Sequence, residues 1–292
     1  MSQKSYDNKP TLYIVPTPIG NLEDMTYRAV NVLKEVDVIF SEDTRVTLQL
    51  LNHFEIKKHL ESMYKFNESK SSEKMLSYLE KGKNVALVSD RGTPILSDPG
   101  NVCTKKIIEK GYNVVSLPGA TAAIPALTSS GLDADKFLFY GFLNSKASLR
   151  KKELELLKRF NYTIIFYEAP HRITDMLSDI YNVFGDRNVS ISREISKKHE
   201  EIYRGKISQV INEIGDPKGE YVIIVEGNKE ETDYNNISIK EHFDMYINDG
   251  YDEKEAIKLV AKDRKVLKNE IYKEIKLFSK KWGGYETNCG IR

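Results

Sequence analysis

Short apolar runs alternate with amphipathic stretches through the first third of the chain. Four of the runs are almost continuously apolar, at residues 11–15, 37–41, 84–88 and 113–117. Such runs are typical of strands that are buried on both faces of a parallel sheet. Apolar residues recur at helical spacing between them, at residues 26–36, at residues 71–80 and between Pro99 and Tyr112. This alternation predicts an α/β domain with right-handed crossovers.

The pattern changes from about Leu132 onwards. Five β-rich runs follow one another with turn signals between them, at residues 137–143, 162–170, 188–195, 200–207 and 220–227. Helices are fewer there, the clearest at residues 148–160, so a mixed or largely antiparallel sheet fits. The whole pattern predicts three parts: an N-terminal α/β domain with a parallel sheet over 11–120, a C-terminal α+β domain with a mixed sheet over 121–228, and a basic helical tail over 238–282.

The composition describes a globular protein with ample material for a core. The 292 residues are 40% hydrophobic and 30% charged, and the formal net charge of +1 argues neither for nor against a nucleic-acid partner. Cys103 and Cys289 form no metal-binding or disulfide pattern, which indicates a reducing compartment. The first residues lack the apolar core of a signal peptide, and no apolar run is long enough to span a bilayer. We therefore expect a cytoplasmic protein.

Each predicted strand of the first domain is followed by an elaborate loop. These loops, at residues 16–24, 42–45, 90–100 and 118–123, are rich in Gly, Pro, hydroxyl and acidic residues. Because the carboxyl ends of parallel strands meet at one edge of a sheet, the loops are expected to share a ligand crevice. Turn chemistry alone would account for short loops but not for a set this long.

The loop chemistry narrows the class of ligand. Arg45 and Arg91 are almost the only cations there, and neither GxxxxGK[ST] nor GxGxxG is present. A triphosphate site or an ordinary dinucleotide site is therefore disfavoured. Backbone N–H groups, hydroxyls and carboxylates suit a small polar or zwitterionic ligand with a positive centre.

Seven motifs occur in the order found in one known family. They are TPIGNLEDMTYRA (17–29), SEDTR (41–45), SDRGTPILSDPG (89–100), LPGATAA (117–123), YEAPHR (167–172), SREISKKHEEIYRG (192–205) and GEYVIIVEG (219–227). On these motifs the chain closely resembles the ribosomal RNA small subunit methyltransferases of the tetrapyrrole methylase superfamily, which use S-adenosylmethionine.

The resemblance implies a tetrapyrrole methylase fold, with two α/β domains, a cofactor cleft between them and a helical C-terminal tail. It also implies a homodimer that methylates the ribose 2′-hydroxyl of a cytidine in the decoding region of 16S ribosomal RNA, and it implies no metal. We expect the RNA to be in the assembled subunit, although the sequence leaves naked RNA open, and we expect no membrane partner. By motif match, the S-adenosyl-L-methionine contacts are Pro18, Ile19, Gly20, Asn21, Asp90, Gly92, Thr93, Pro94, Ile95, Gly119, Ala120, Thr121, Ala122, Tyr167, Glu168 and Ala169.

Methyl transfer to a hydroxyl needs alignment, exclusion of water and a nearby base. Glu42, Asp43 and His171 are the candidate catalytic residues. Each has a plainer alternative: Asp43 could form a local ion pair with Arg45, His171 could be structural, and Glu168 could serve only the cofactor.

An RNA substrate would be expected to meet basic residues. Residues 144–160 and 254–281 are basic, although basic helices are often only soluble surfaces. The candidate phosphate contacts are Arg45, Arg150, Lys151, Lys152, Arg172, Arg193 and Lys198.

The chain departs from the family pattern at two places. Arg91 stands where the family commonly has Ala, and we expect its side chain to point outward. In the tail, Arg264 and Lys265 replace the apolar residue and Gly of a helix-turn-helix, so the first tail helix is expected to run on. Two other functions stay open: a methyltransferase acting on a small molecule, and a non-catalytic ribosome-assembly protein that binds RNA, which the intact SDxGTPxxSDPG pattern disfavours.

Overall fold

The computed structural model describes residues 2–5, 7–229, 234 and 237–282, with side chains up to residue 277. The chain divides between Asn228 and Lys229 into two compact units. Cys289 and the linker residues 230–233, 235 and 236 lie outside the described residues. No helix in the described part of the chain is long and apolar enough to cross a membrane.

The first sheet is parallel throughout, as its apolar runs predicted. Its strands are β1 (Thr11–Ile14), β2 (Val38–Ser41), β3 (His59–Ser62), β4 (Val85–Val88) and β5 (Asn113–Ser116). They lie in the order β3-β2-β4-β1-β5. Alternate residues of a strand enter the two cores on opposite faces, so Ile39 packs with one and Phe40 with the other.

Four helices belong to this sheet: α1 (Tyr27–Glu35), α2 (Thr44–His53), α3 (Glu68–Glu80) and α4 (Asn101–Glu109). Leu33 and Leu51 place α1 and α2 on one face, and Leu79 and Ile107 place α3 and α4 on the other. Both faces of the central strands are therefore covered, which is why β2 and β4 are buried at every position.

The second sheet is mixed, again as predicted. It consists of β6 (Phe137–Phe142), β7 (Thr163–Glu168), β8 (Asn188–Arg193), β9 (Glu201–Lys206) and β10 (Tyr221–Val225), in the order β6-β7-β10-β8-β9. Only the β6–β7 pair is parallel. The ladder shifts its register between Phe139 and Gly141, where a φ of 80° favours glycine.

Helices also cover both faces of the second sheet. The core of one face contains residues of α6 (Ala147–Leu157), α7 (Ile173–Phe184) and α8 (Ile207–Glu213). On the other face α5 (Ala123–Ser130) packs against Ile165, Val222 and Ile224. Because α5 directly follows the loop after β5, it carries the chain from the first sheet onto the second.

The described residues of the second unit form three helices: α9 (Ile239–Asn248), α10 (Glu253–Asp263) and α11 (Lys268–Trp282). They share a small core that includes Phe243, Val260 and Ile271. We expected the helix before Arg264 and Lys265 to continue through these two residues. That expectation is wrong, because this helix, α10, ends at Asp263. Lys265 adopts a φ of 54° in the turn that follows, a left-handed conformation that glycine would adopt with less strain.

Candidate active site at the edge of the first sheet

Backbone groups join the loops at the carboxyl edge of the first sheet. The Thr17 N–H donates to the Gly92 carbonyl at 2.9 Å, and the Gly92 N–H donates back to the Thr17 carbonyl at 2.9 Å. The Thr93 hydroxyl donates to the Ala120 carbonyl at 3.0 Å. The loops after β1, β4 and β5 therefore form one structure. Gly92 has a φ of 81°, and a Cβ there would lie 3.3 Å from the Ile19 side chain, so this position favours glycine.

A cavity of about 550 Å³ lies between these loops and the second sheet. Nine of the predicted cofactor contacts lie on its wall: Ile19, Asp90, Gly92, Thr93, Thr121, Ala122, Tyr167, Glu168 and Ala169. Seven others lie outside the lining residues, although they belong to the same loops: Pro18, Gly20, Asn21, Pro94, Ile95, Gly119 and Ala120. The loops thus contribute to the wall mainly through residues 90–93, 96–98 and 121–122.

Tyr167 gives the cavity an aromatic wall. Its ring packs edge-on against Phe139 and Phe142, with centroids 5.1 and 5.6 Å away. Burial raises the pKa of its hydroxyl, while interactions with the Thr121 side chain and the Ala123 backbone oppose that effect. The ring is therefore held as a neutral, fixed surface.

Three carboxyl groups lie close enough at this edge of the sheet to affect one another; Asp90 and Asp98 line the cavity, whereas Glu42 is outside its lining residues. Glu42 follows β2, Asp90 follows β4, and Asp98 lies further along the loop after β4. Burial, and then the charge of Glu42, raise the pKa of Asp98 to about 6. Burial and the charge of Asp90 also raise the pKa of Glu42. Such a cluster favours a cation among its members, because a positive charge would relieve their mutual repulsion.

Asp43 behaves differently from its neighbour Glu42. It caps α2 by accepting from the Arg45 N–H at 2.8 Å, and its carboxylate binds the Arg45 guanidinium at 2.6 Å. Hydrogen bonds from Arg45 lower the pKa of Asp43 to about 2. Asp43 therefore forms a local ion pair with Arg45. Because its pKa is lowered, its carboxylate is a weak proton acceptor and a poor candidate for the catalytic base.

Glu168 and Arg172 form a second charged centre at the end of β7. The Glu168 carboxylate is buried; one oxygen accepts from the Ala169 N–H at 2.8 Å and the other lies 3.0 Å from the Arg172 guanidinium. Burial raises the pKa of Glu168, and the Ala169 N–H and Arg172 oppose that effect. His171, between them in the sequence, is exposed.

Comparison with known proteins identifies the family. A sequence profile described as Tetrapyrrole (Corrin/Porphyrin) Methylases matches residues 11–211. The chain belongs to this family. Proteins named ribosomal RNA small subunit methyltransferase I, from Bacillus subtilis (strain 168) and Halalkalibacterium halodurans, are 48% and 44% identical to it over 281 residues. These alignments cover 92% and 93% of this chain and 96% and 97% of theirs. The resemblance seen in the motifs is thus confirmed.

Solved structures show the same fold at low sequence identity. A uroporphyrin-III C-methyltransferase from Thermus thermophilus, complexed with S-adenosylhomocysteine, has a TM-score of 0.54 at 18% identity over 74% of this chain and 97% of that one. A diphthine synthase has a TM-score of 0.57 at 13% identity, over 74% and 90%. The tetrapyrrole methylase fold, with its two sheets and helical C-terminal region, is therefore confirmed.

As a tetrapyrrole methylase, the chain is an S-adenosylmethionine-dependent methyltransferase, and its residues fit that cofactor. The cavity volume lies within the range of small-molecule sites, roughly 300–1,000 Å³. Asp90, Asp98 and Glu168 on its wall suit a sulfonium cation, and Thr93 and Thr121 contribute hydroxyls. Among the described residues, no group of His, Cys, Asp and Glu is placed to hold a metal ion.

The structure corrects one predicted phosphate contact of this methylase. Arg150 is only 4% exposed, and its guanidinium donates to Asp179 at 2.8 Å on the facing helix α7. It is therefore a buried structural residue. Lys151 reaches the other Asp179 oxygen at 3.3 Å but is half exposed. Of the remaining candidates, Arg45, Lys152 and Lys198 are exposed, while Arg172 and Arg193 are partly buried beside Glu168 and Glu201.

Arg91 does not simply point outward. It lines the rim of the cavity, and its guanidinium lies 2.8 Å from the Glu220 carboxylate at the start of β10. Asp98 and Glu220 were both missed in the sequence. The sequence does contain a signal for Asp98, because it is the second Asp of a Gly- and Pro-rich loop. No feature of the sequence marks Glu220 as a residue of the cavity wall.

Proposed function

We propose that this methyltransferase modifies the ribose 2′-hydroxyl of a cytidine in the decoding region of 16S ribosomal RNA. The proposal rests chiefly on the high identity with proteins named ribosomal RNA small subunit methyltransferase I, over nearly the whole of both chains. We further propose that it acts as a homodimer on the assembled small subunit, in the cytoplasm where that substrate is found.

The cavity residues would supply binding, orientation and a dry site. When bound, S-adenosylmethionine supplies a methyl group on a sulfonium, which is already a strong electrophile. Asp90, Asp98 and Glu168 balance its positive charge, and the fixed Tyr167 ring and Val222 exclude water from one side. What remains for the protein is to align the acceptor oxygen and remove its proton.

Glu42 is the best candidate for the base. Transfer of the methyl group to the acceptor oxygen would break the methyl–sulfur bond and leave a neutral thioether, and the proton of the hydroxyl would pass to the Glu42 carboxylate. The pKa of Glu42 is raised by burial, so this carboxylate is a stronger proton acceptor than Asp43, whose pKa is lowered. His171 stays a second candidate because it is exposed beside Glu168.

Exposed basic side chains would position the RNA. Arg45 follows the second strand close to Glu42, while Lys151, Lys152 and Lys198 are exposed on the second half of the first unit. Phosphate contacts of this kind set the register of a nucleic acid without reading its sequence.

Methyl transfer to ribosomal subunits tests the proposal. Small subunits from a strain that lacks this gene are incubated with enzyme and cofactor labelled in the methyl group, in parallel with naked 16S RNA, and ribose methylation is mapped. We expect about one labelled cytidine 2′-hydroxyl per assembled subunit. Label on a base, or no label with cofactor still bound, would contradict the proposal and favour another acceptor. Failure to bind the cofactor in calorimetry would favour a non-catalytic RNA-binding protein.

A further inference from the structure

Carboxylates outnumber cations on the cavity wall, which creates a difficulty for an RNA substrate. Among its lining residues Asp90, Asp98, Glu168 and Glu220 carry carboxylates, whereas Arg91 is the one Lys or Arg. This charge pattern favours a cationic cofactor but repels phosphates. A ribose whose 2′-hydroxyl enters the cavity brings its own 3′-phosphate within a few ångströms of that wall. Some positive group must therefore receive the phosphate at the rim.

Arg91 is placed at that rim. Its side chain is 55% exposed, and one terminal nitrogen contacts Glu220 at 2.8 Å. Because a guanidinium carries five N–H donors in a fixed fork, it can bind a phosphate through two of them. An ion pair between groups as exposed as these contributes little stability, so exchange of one anion for another costs little.

Glu220 has a second cationic partner, which makes that exchange possible. The Lys197 ammonium lies 2.7 Å from the other Glu220 oxygen, and it also contacts Glu194 at 2.8 Å. If Arg91 turns towards a phosphate, Glu220 keeps Lys197. Neither Glu220 nor Lys197 is then left without an opposite charge.

We propose that Arg91 is a positioning residue for the RNA, which exchanges Glu220 for a phosphate next to the target ribose. This inference rests on the proposed ribosomal RNA substrate. A competing explanation is that the Arg91–Glu220 pair only clamps the two halves of the first unit together. The two explanations predict different effects when the Glu220 charge is removed. If Arg91 binds a phosphate, the change frees Arg91 and strengthens RNA binding. If the pair is only a clamp, the change breaks the clamp and weakens RNA binding.

The test compares Arg91→Ala, Arg91→Lys and Glu220→Gln with wild type. Lys34→Ala is the control, because Lys34 is an exposed cation in the last turn of α1, where that helix returns to the amino end of β2. KM and kcat for assembled subunits are measured from 50 to 200 mM salt, and subunit binding is measured separately without turnover. Cofactor affinity is measured by calorimetry.

We expect Arg91→Ala to weaken subunit binding and raise KM about tenfold, with kcat little changed. Loss of one phosphate contact should reduce the slope of log affinity against log salt by about 0.7–0.9. Arg91→Lys should recover part of the affinity, and Glu220→Gln should tighten subunit binding. The cofactor should bind Arg91→Ala as tightly as wild type or more tightly, because a neighbouring positive charge is gone.

Two results would overturn the inference while leaving the proposed function intact. In both, the wild-type enzyme methylates the subunit. In the first, Arg91→Ala matches Lys34→Ala in KM and in salt slope. In the second, Glu220→Gln weakens subunit binding as much as Arg91→Ala does. The second result would establish the clamp. A wild-type enzyme that neither binds nor methylates ribosomal RNA would overturn both proposals together.

Discussion

Asp98 costs the folded protein stability at neutral pH, and Asp98→Asn should recover it. The side chain is half-buried beside Glu42 and Asp90, and these surroundings raise its pKa from 3.8 to about 6. At about 1.4 kcal/mol per pH unit, the ionised carboxylate destabilises the fold by up to about 3 kcal/mol. Asparagine keeps the shape of the side chain but never ionises.

The sign of the effect follows from the two pKa values. Below about pH 4, Asp98 is protonated in both the folded and the unfolded chain, so the substitution changes little. Between about pH 4 and pH 6 the unfolded chain loses the proton first, and the wild-type fold is progressively destabilised. Above pH 6 the difference is constant. The stability of Asp98→Asn relative to wild type should therefore rise from near zero at pH 4 to about 3 kcal/mol at pH 7.5.

Urea unfolding followed by circular dichroism at pH 4, 5, 6 and 7.5 measures this difference. Because the chain has two compact units, the comparison uses the transition that the substitution moves. Asp43→Asn is the matched control, since Arg45 lowers the pKa of Asp43 and its ionised form stabilises the fold. That variant should lose stability above pH 4. A stability gain for Asp98→Asn that did not change with pH, or no gain at pH 7.5, would refute the reasoning.

Three further results are expected. Glu42→Gln should lower kcat by roughly 10²–10⁴-fold in methyl-transfer assays while Asp43→Asn keeps most activity, and equal losses in both would remove Glu42 as the base. Arg150→Ala should lower the free energy of unfolding by about 1.5–3 kcal/mol, since it removes a buried hydrogen bond to the Asp179 charge while Lys151 still contacts that carboxylate. Lys152→Ala should match wild type, and similar urea midpoints for the two variants would contradict this. Cofactor affinity in calorimetry should fall as the pH drops below about 6 and Asp98 is protonated, and a flat profile for wild type would show that Asp98 does not face the sulfonium.

The main strands were predictable because strands buried on both faces are apolar at nearly every position. The edge strand β3 was missed for the opposite reason: His59–Ser62 is exposed or half-exposed and largely polar. The sequence pattern does not predict helix α2 either, because the polar residues 42–45 resemble a loop, whereas Asp43 already caps the helix.

Pairings between distant segments could not be predicted from local patterns. Arg150 and Lys152 are neighbours in one basic run, yet Arg150 is buried because α6 packs beside Asp179 on α7. The carboxylate cluster likewise depends on the order of strands. Glu42 and Asp90 follow β2 and β4, which are adjacent in the sheet although β3 and α3 lie between them in the sequence.

The backbone pairing of Thr17 with Gly92 bears on how such a protein can change over evolutionary time. Loops joined through main-chain N–H and C=O groups keep their geometry when the side chains around them are replaced, as long as glycine stays at position 92. The backbone geometry of the loops and the side chains that line the cavity can therefore change independently. A lineage can exchange wall residues and so change the acceptor without first rebuilding the loops that surround the methyl donor.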